Sequence, residues 1–216
     1  MPRRSYAHYC PLSRALDVIG ERWTLLIVRE LLGGPRRYTD LHADLPGVST
    51  DVLAARLKEM ERDGLVTRRR LPPPAAASVY ELTPRGEGLL PALTALAGWG
   101  AAELSPEPGP TDALRAHWFA LPLMSRLEEA SAGLTGVINV RLDEGGFHAI
   151  ISPNGSRYAD GPAESADTQI TVSLAGCLSL ARGKTALPRL LQDGDATIDG
   201  DTPLAAALRG AAEDGQ

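Results

Sequence analysis

Two clusters of arginine in the first half of the chain have the chemistry of an anion-binding surface. Arg36 and Arg37 are adjacent, and Arg68, Arg69 and Arg70 form a second run further along the sequence. A guanidinium group stays charged at neutral pH and matches the geometry of a phosphate, so these arginines are candidate contacts to a nucleic-acid backbone. Such contacts give affinity but little sequence information. A charged run on a strand is also common at an ordinary solvated edge, and that alternative stays open.

The segment between the two clusters, residues 49–63, has the pattern of an amphipathic helix. Leu53, Leu57 and Met60 recur at helical spacing and predict a buried stripe, with Ser49 or Thr50 as the N-cap. Small and polar residues elsewhere on this helix suit a close approach to base edges in the major groove. The candidate DNA contacts here and just before are Tyr38, Ser49, Thr50, Asp51, Ala54, Ala55 and Lys58. Asp51 also suits the positive end of the helix dipole, and Arg56 is either structural or a further contact.

The elements around this helix predict a winged helix-turn-helix over residues 1–104. Three helical patterns precede it, two extended runs follow it, and a last helix closes the segment. They are residues 12–19, 23–31 and 39–45 (capped by Thr39), the strands Val66–Leu71 and Val79–Leu82, and a helix that starts at Thr83-Pro84. In this fold the second helix of the motif enters the major groove and the hairpin, or wing, contacts the backbone or minor groove.

Several motifs in residues 10–100 resemble, in order, the HxlR family of bacterial transcription regulators. They are Cys10-Pro11, Leu16–Thr24, Ile27–Leu31, Arg37–Leu41, Val48–Lys58, Asp63–Val66, Val79–Gly86 and Trp99. The resemblance implies a homodimer whose first and last helices form the interface and whose partner is a double-stranded DNA operator. The two recognition helices of such a dimer address half-sites about one DNA turn (~34 Å) apart.

Cys10 occupies the position where some members of that family carry a redox-sensing cysteine. Sensing requires an accessible thiolate with a lowered pKa, which a helix N-terminus and the nearby Arg14 would favour. The alternative is a small buried hydrophobic residue at the start of the first helix.

A linker at residues 105–111, rich in proline, precedes a second predicted domain over residues 112–216. Its pattern predicts an α+β fold. The expected strands are Ile138–Leu142, Phe147–Ile151, Ile170–Leu174 and Ala196–Asp199, and the expected helices are 114–127 (kinked at Pro122), 175–182, 186–192 and 202–212. The chain is thus expected to be multidomain, with a mainly-α winged helix followed by an α+β domain.

Residues 114–210 resemble sterol-carrier-type lipid-binding domains. The resemblance rests on Ala166–Ser173, Arg182-Gly183-Lys184 and Gln192–Asp201. It implies an apolar tunnel, and hence an apolar small-molecule effector, with Trp118, Phe119, Leu121, Met124, Phe147 and Leu178 as candidate lining residues. Two alternatives stay open: these residues form an ordinary core, or the domain reinforces the dimer or docks a protein, with Cys10 as the signal input.

Composition limits the other classes of function. Hydrophobic residues make up 44% and charged residues 23% of the 216-residue chain, which is ordinary globular composition. Residues 1–104 hold 14 Lys and Arg against 12 Asp and Glu, whereas residues 105–216 hold 8 against 15, so two modules with different partners are expected. The four histidines and two cysteines have no metal-ligand spacing, and no catalytic motif is present. We expect a cytoplasmic protein that is not an enzyme, with no metal, cofactor or membrane partner.

Overall fold

The computed structural model describes residues 5–73 and 77–210, and part of the predicted proline-rich wing connection lies outside these ranges. The chain divides into two compact units, Met1–Leu90 and Pro91–Gln216. In the described part of the chain, no helix has the length and apolar character that crossing a membrane requires.

The first unit is a bundle of short helices with a small antiparallel sheet. Its strands have the order β1-β3-β2. The elements are α1 Pro11–Ile19, α2 Thr24–Leu32, β1 Arg36–Arg37, α3 Tyr38–Ala43, α4 Thr50–Arg62, β2 Val66–Arg70, β3 Ser78–Leu82 and α5 Pro84–Glu87.

Helix α4 begins and ends at the residues that the sequence predicts. Ser49 is the N-cap, and its hydroxyl accepts a hydrogen bond from the Val52 amide at 3.3 Å. At the other end Gly64 has φ +70°, its amide donates to the Glu61 carbonyl, and the Leu65 amide donates to the Met60 carbonyl at 2.9 Å. These two bonds satisfy carbonyls of the last turn and turn the chain into β2.

Two predicted features of this region are wrong. Thr39 does not cap α3, because the N-cap is Arg37 and its amide donates to the Asp40 carboxylate at 3.3 Å. The helix that starts at Thr83-Pro84 is interrupted, since α5 ends at Glu87 and a separate α6 covers Leu90–Ala101. At Gly86 a Cβ atom would lie 2.2 Å from the Leu65 carbonyl oxygen, so this close approach of two backbones requires glycine.

The second unit is an α+β fold around a five-stranded mixed sheet of order β6-β5-β4-β7-β8. Strands β4 and β7 are parallel and the other pairs are antiparallel. After α6, the elements are a 3-10 helix Ala116–Phe119, α7 Ala120–Ala130, β4 Gly136–Leu142, β5 Gly145–Ile151, β6 Arg157–Asp160, β7 Thr168–Val172, α8 Leu174–Ala181, α9 Leu187–Asp193, β8 Ala196–Asp199 and α10 Pro203–Gly210.

The helix predicted from Leu114 with a kink at Pro122 has a different form. The change from 3-10 to α-helix falls at Phe119–Ala120, and Pro122 lies in the first turn of α7, where the helix does not need its missing amide. Strand β6, at the sheet edge, was not expected from the sequence.

Candidate nucleic-acid interface and ligand cavity

Helix α4 has one buried side and one exposed side, as the sequence predicts. Leu53, Leu57 and Met60 are at most 2% exposed. At about 100° per residue these three residues span an arc of only about 60°. The predicted contacts on this helix are all exposed and form a contiguous arc of about 140°: Thr50, Asp51, Ala54, Ala55 and Lys58. The helix therefore presents short and polar side chains on an exposed surface.

Val52 is a further exposed residue of α4 that was not among the predicted contacts. Its side chain is 42% exposed although valine is apolar. An apolar group on such a surface suits contact with a thymine methyl group. The sequence could have predicted this exposure, because Val52 does not share the helical spacing of the buried residues Leu53, Leu57 and Met60.

Tyr38 and Ser49 hold the N-terminal end of α4 in place. The Tyr38 hydroxyl donates a hydrogen bond to the Thr50 carbonyl at 2.7 Å, and its ring stacks on His42 with ring centroids 6.4 Å apart. The Ser49 hydroxyl is engaged as the N-cap. Both residues thus help to orient the helix that carries the exposed face.

The arginines around α4 separate into structural and exposed groups. The Arg36 side chain is 14% exposed and its Nη1 lies 3.7 Å from Asp44 Oδ2. Arg56 is 17% exposed and pairs with Glu59 and, at 3.5 Å, with Glu21, so it joins α4 to the turn before α2. Arg37, by contrast, is exposed. Arg36 and Arg56 are thus held by carboxylates within the unit.

The three wing arginines are exposed on β2 but differ in their neighbours. The Arg68 guanidinium lies over the Tyr80 ring, 5.9 Å from its centroid. Arg69 is paired with Glu81, which raises the pKa of this guanidinium. Arg70 lies opposite Ser78 in the register of β2 and β3. Tyr80 and Glu81 are residues of this surface that the sequence analysis did not name.

Cys10 lies at the N-cap of α1 and is exposed, so it is not the buried hydrophobic residue of the alternative interpretation. Hydrogen bonds from the Ser13 and Leu12 amides and from the Ser13 hydroxyl lower the pKa of its thiol. Cys177 differs in both respects, because it is buried and its burial raises the pKa of the thiol to about 12. The two thiols therefore have opposite reactivity.

Helices α1 and α6 each leave apolar side chains uncovered. No residue of α1 is buried, although Leu12 and Leu16 face one side of it; Leu12 is 67% exposed. On α6, Leu96 is half exposed and Trp99 is 73% exposed. Large apolar side chains that are exposed on a helix are typical of protein interaction surfaces.

An apolar cavity lies in the second unit between the sheet and helices α7, α8 and α9. Its enclosed space is about 20 Å³, and the hollow measures about 320 Å³ when the space that opens to solvent is included. The lining residues are Leu123, Arg126, Leu127, Val140, Ile170, Val172, Leu180 and Leu187. Arg126 is the charged member of this set, with Nη1 3.6 Å from Glu129 Oε2.

None of the six predicted lining residues borders this cavity. Five of them are buried and Trp118 is half-buried, in the 3-10 helix, α7, β5 and α8. On α7 the predicted pair Leu121 and Met124 lies on a different part of the helix surface from the cavity-lining pair Leu123 and Leu127. Periodicity identified the right helix but not the side that faces the cavity.

Arg182, at the C-cap of α8, binds the end of α6. Its Nε donates to the Ala101 carbonyl at 3.0 Å, and its Nη2 donates to the carbonyls of Leu104 and Ser105. A guanidinium at the end of a helix satisfies carbonyls that have no intrahelical partner. This side chain fixes the C-terminus of α6 onto the α+β fold.

Both halves of the chain match known families. Residues 18–108 match the HxlR-like helix-turn-helix family and residues 120–213 match the SCP-2 sterol transfer family. The HTH-type transcriptional regulator YvaP of Bacillus subtilis is 38% identical over 98 residues, which are 45% of this chain and 91% of that protein.

Two further relatives cover the same half. The HTH-type transcriptional regulator YodB of Bacillus subtilis is 35% identical over 103 residues, or 47% of this chain and 90% of that protein. The HTH-type transcriptional regulator YtfH of Escherichia coli is 36% identical over 94 residues, or 44% of this chain and 75% of that protein. The chain belongs to the HxlR-like family of helix-turn-helix transcriptional regulators and carries a second segment of the SCP-2 sterol transfer family, which confirms both resemblances.

Proposed function

We propose that this regulator binds a double-stranded operator as a homodimer and is controlled by an apolar small molecule bound in the second unit. The observation that carries the DNA-binding part is the exposed face of α4, opposite the stripe of Leu53, Leu57 and Met60. Its short side chains let the backbone of the helix approach base edges, while Arg37 and the wing supply phosphate contacts. The proposal contains no catalytic step.

The apolar side chains of α1 and α6 support the homodimer. A second copy would cover Leu12, Leu16, Leu96 and Trp99, which are otherwise in contact with water. A large aromatic residue in such a surface is a typical anchor of the binding energy. A dimer also gives two copies of α4, and these match two half-sites about one DNA turn (~34 Å) apart.

Sedimentation velocity of the full chain tests this interface. Trp99→Ser should weaken dimerisation by roughly 30-fold or more, because truncating a central aromatic anchor typically costs ≥2 kcal/mol. Leu134→Ser, which changes an exposed apolar residue outside α1 and α6, is the matched control and should leave the dimer intact. A Trp99→Ser protein with the wild-type dissociation constant would argue against the interface.

The apolar cavity and the SCP-2 match support small-molecule control. The enclosed 20 Å³ holds little more than one water molecule, whereas a drug-sized ligand needs roughly 300–1,000 Å³. We propose that binding separates α7, α8 and α9 from the sheet and thus selects a more open arrangement. A ligand of this kind changes DNA affinity only if it binds the two arrangements unequally.

Two experiments on the full chain test the proposal. Selection of bound sequences from a random duplex library should return a two-fold symmetric site, and a pool without enrichment would argue against operator binding. Native mass spectrometry followed by denaturation and extraction should find a dimer that carries an apolar compound. Cholesterol and a long-chain fatty acid, added as probes, should change the affinity for the selected site; no effect from either, with no co-purified compound, would favour a protein-docking role for the second unit.

A redox input through Cys10 is the second candidate, and the exposed thiol of lowered pKa favours it. In that case the second unit reinforces the dimer or docks a protein. The rate of alkylation by iodoacetamide should rise with pH and reach its midpoint at a lower pH than for an unperturbed cysteine in a short peptide, because the thiolate is the reactive form and the hydrogen bonds favour it. Cys177, as the internal control, should stay unmodified in the folded protein.

Measurements of operator affinity test whether oxidation of Cys10 regulates DNA binding. Diamide should change the affinity of the wild-type protein and leave that of Cys10→Ser unchanged. An equal response of both proteins would remove Cys10 as the input.

A further inference from the structure

We infer that the wing contacts the DNA backbone with one face of β2, through Arg68 and Arg70, and that Glu81 withholds Arg69 from that contact. This inference rests on the proposed binding of DNA. It divides a run of three identical residues into two that bind phosphate and one that does not.

The register of the wing places the three arginines on two faces. Arg68 lies opposite Tyr80 and Arg70 opposite Ser78, whereas Arg69 lies opposite Val79. Successive side chains of a strand point to opposite faces of the sheet. Arg68, Arg70 and Tyr80 therefore share one face, and Arg69 shares the other with Glu81.

The face that carries Arg69 has its own carboxylate. Arg69 Nε lies 3.0 and 2.9 Å from the two Glu81 carboxylate oxygens, and Nη2 lies 2.9 Å from Oε2. Paired contacts between a guanidinium and a carboxylate are the strong and geometrically specific form of this interaction. A DNA phosphate at Arg69 would have to compete with Glu81 for the guanidinium and would meet the negative charge of that carboxylate, which opposes the contact.

The opposite face has no such paired contact, although the Glu61 carboxylate also lies near the Tyr80 phenol. Among residues 5–73 and 77–210, no carboxylate forms an ion pair with Arg68 or Arg70. Arg68 rests on the Tyr80 ring, and a guanidinium that lies on a ring keeps its N–H edge available to an anion. The ring contact favours this orientation of Arg68 and leaves its charge available.

The Arg68 face is also connected to the recognition helix. Burial raises the pKa of the Tyr80 phenol, the charge of Arg68 lowers it, and Glu61 and Tyr38 raise it, so these side chains are neighbours. Tyr38 in turn donates to the carbonyl of Thr50, the first residue of α4. The Arg68 face of the wing is therefore linked through Tyr38 to the first residue of α4.

The salt dependence of DNA binding separates the three arginines. Each phosphate contact releases counterions from DNA, so its loss lowers the slope of log K against log salt by ~0.9. The probe is a fluorescein-labelled duplex of arbitrary sequence and about 30 base pairs, titrated with the full chain from about 50 to about 200 mM NaCl. Because phosphate contacts do not depend on base sequence, this assay can be made before the operator is known.

Matched glutamine variants make the comparison. Arg68→Gln and Arg70→Gln should each lower the slope by ~0.9. Arg69→Gln carries the same charge change, and it should weaken binding only because it leaves the Glu81 carboxylate unpaired near DNA. Glu81→Gln in the Arg69→Gln background should then restore wild-type affinity and slope, since the pair as a whole carries no net charge.

The outcomes distinguish this inference from the proposed function. If the Arg69→Gln/Glu81→Gln protein loses as much slope as Arg68→Gln, Arg69 contacts phosphate and the inference is wrong. If Arg68→Gln and Arg70→Gln both retain the wild-type slope, the assigned face is wrong while DNA binding by α4 stands. If the wild-type protein shows no salt-dependent binding at all, the proposed function itself fails. Circular dichroism confirms that each variant is folded.

Discussion

Helices α4 and α7 are both amphipathic, yet only for α4 does the sequence identify the side that we propose to bind a partner. The buried residues of α4 span about 60° of the helix surface, whereas Leu123, Leu127, Met124 and Leu121 of α7 span about 160°. Helix α4 therefore leaves a wide exposed face that is available for a partner. Helix α7 packs against β5, α8 and α10, and its apolar stripe includes both core residues and cavity-lining residues. Once the buried stripe of a helix is known, the remaining side is the candidate surface site. The residues that line a cavity belong to the buried stripe itself, so the same pattern does not distinguish them from core residues.

The largest expected effect is the loss of folding when the stripe of α4 receives a charge. Leu57→Asp would bury an unpaired carboxylate at a position that is 1% exposed, so the first unit should fail to fold. Ala55→Asp introduces the same residue two positions away on the exposed face and should cost only about 1 kcal/mol, mainly through lower helix propensity. Urea unfolding followed by circular dichroism measures both. A folded Leu57→Asp protein would show that this side of α4 is not buried.

Leucine-to-alanine substitutions in α7 test whether the core-facing and the cavity-facing parts of its wide stripe both contribute to the free energy of unfolding. Leu121→Ala should cost roughly 2–5 kcal/mol of unfolding free energy. Leu123→Ala should lie near the low end of that range, because Leu123 already faces the cavity and makes fewer contacts there. Chemical denaturation gives both values. Equal costs would indicate that the cavity is closed in solution.

The smallest of these effects concerns the joint between α8 and α6. Arg182→Ala removes hydrogen bonds to three backbone carbonyls and should destabilise the second unit by about 1–3 kcal/mol. Arg189→Ala, the control, removes a surface ion pair with Asp193 and should cost about 0–1 kcal/mol. Thermal unfolding compares the two variants. Similar small losses would mean that Arg182 is not a structural link.

The sequence predicted those features that depend on local pattern. The N-cap Ser49, the turn at Gly64, the stripe of α4 and most strands of the second unit follow from spacing and from residues with strong conformational preferences. Thr39 was wrongly given the cap of α3, because the carboxylate of Asp40 reaches the Arg37 amide and pattern alone does not rank two possible caps.

Other features depend on packing that no local pattern contains. Periodicity does not show that β6 pairs at the edge of the sheet, or that Leu123 rather than Leu121 faces the cavity. The pairing of Arg69 with Glu81 joins residues twelve positions apart, and it becomes visible only once the register of the wing is known.

The most direct test of the central claim is the operator affinity of a variant with an altered α4 face. Ala54→Glu places a negative side chain inside the exposed arc of α4, and Ala102→Glu adds the same charge at an exposed position outside α4. With the site obtained by sequence selection, fluorescence anisotropy should show a loss of at least about 100-fold for Ala54→Glu, since a misplaced charge against base edges costs several kcal/mol. Ala102→Glu should bind as the wild type does. If Ala54→Glu binds the operator with wild-type affinity, α4 is not the helix that contacts the bases.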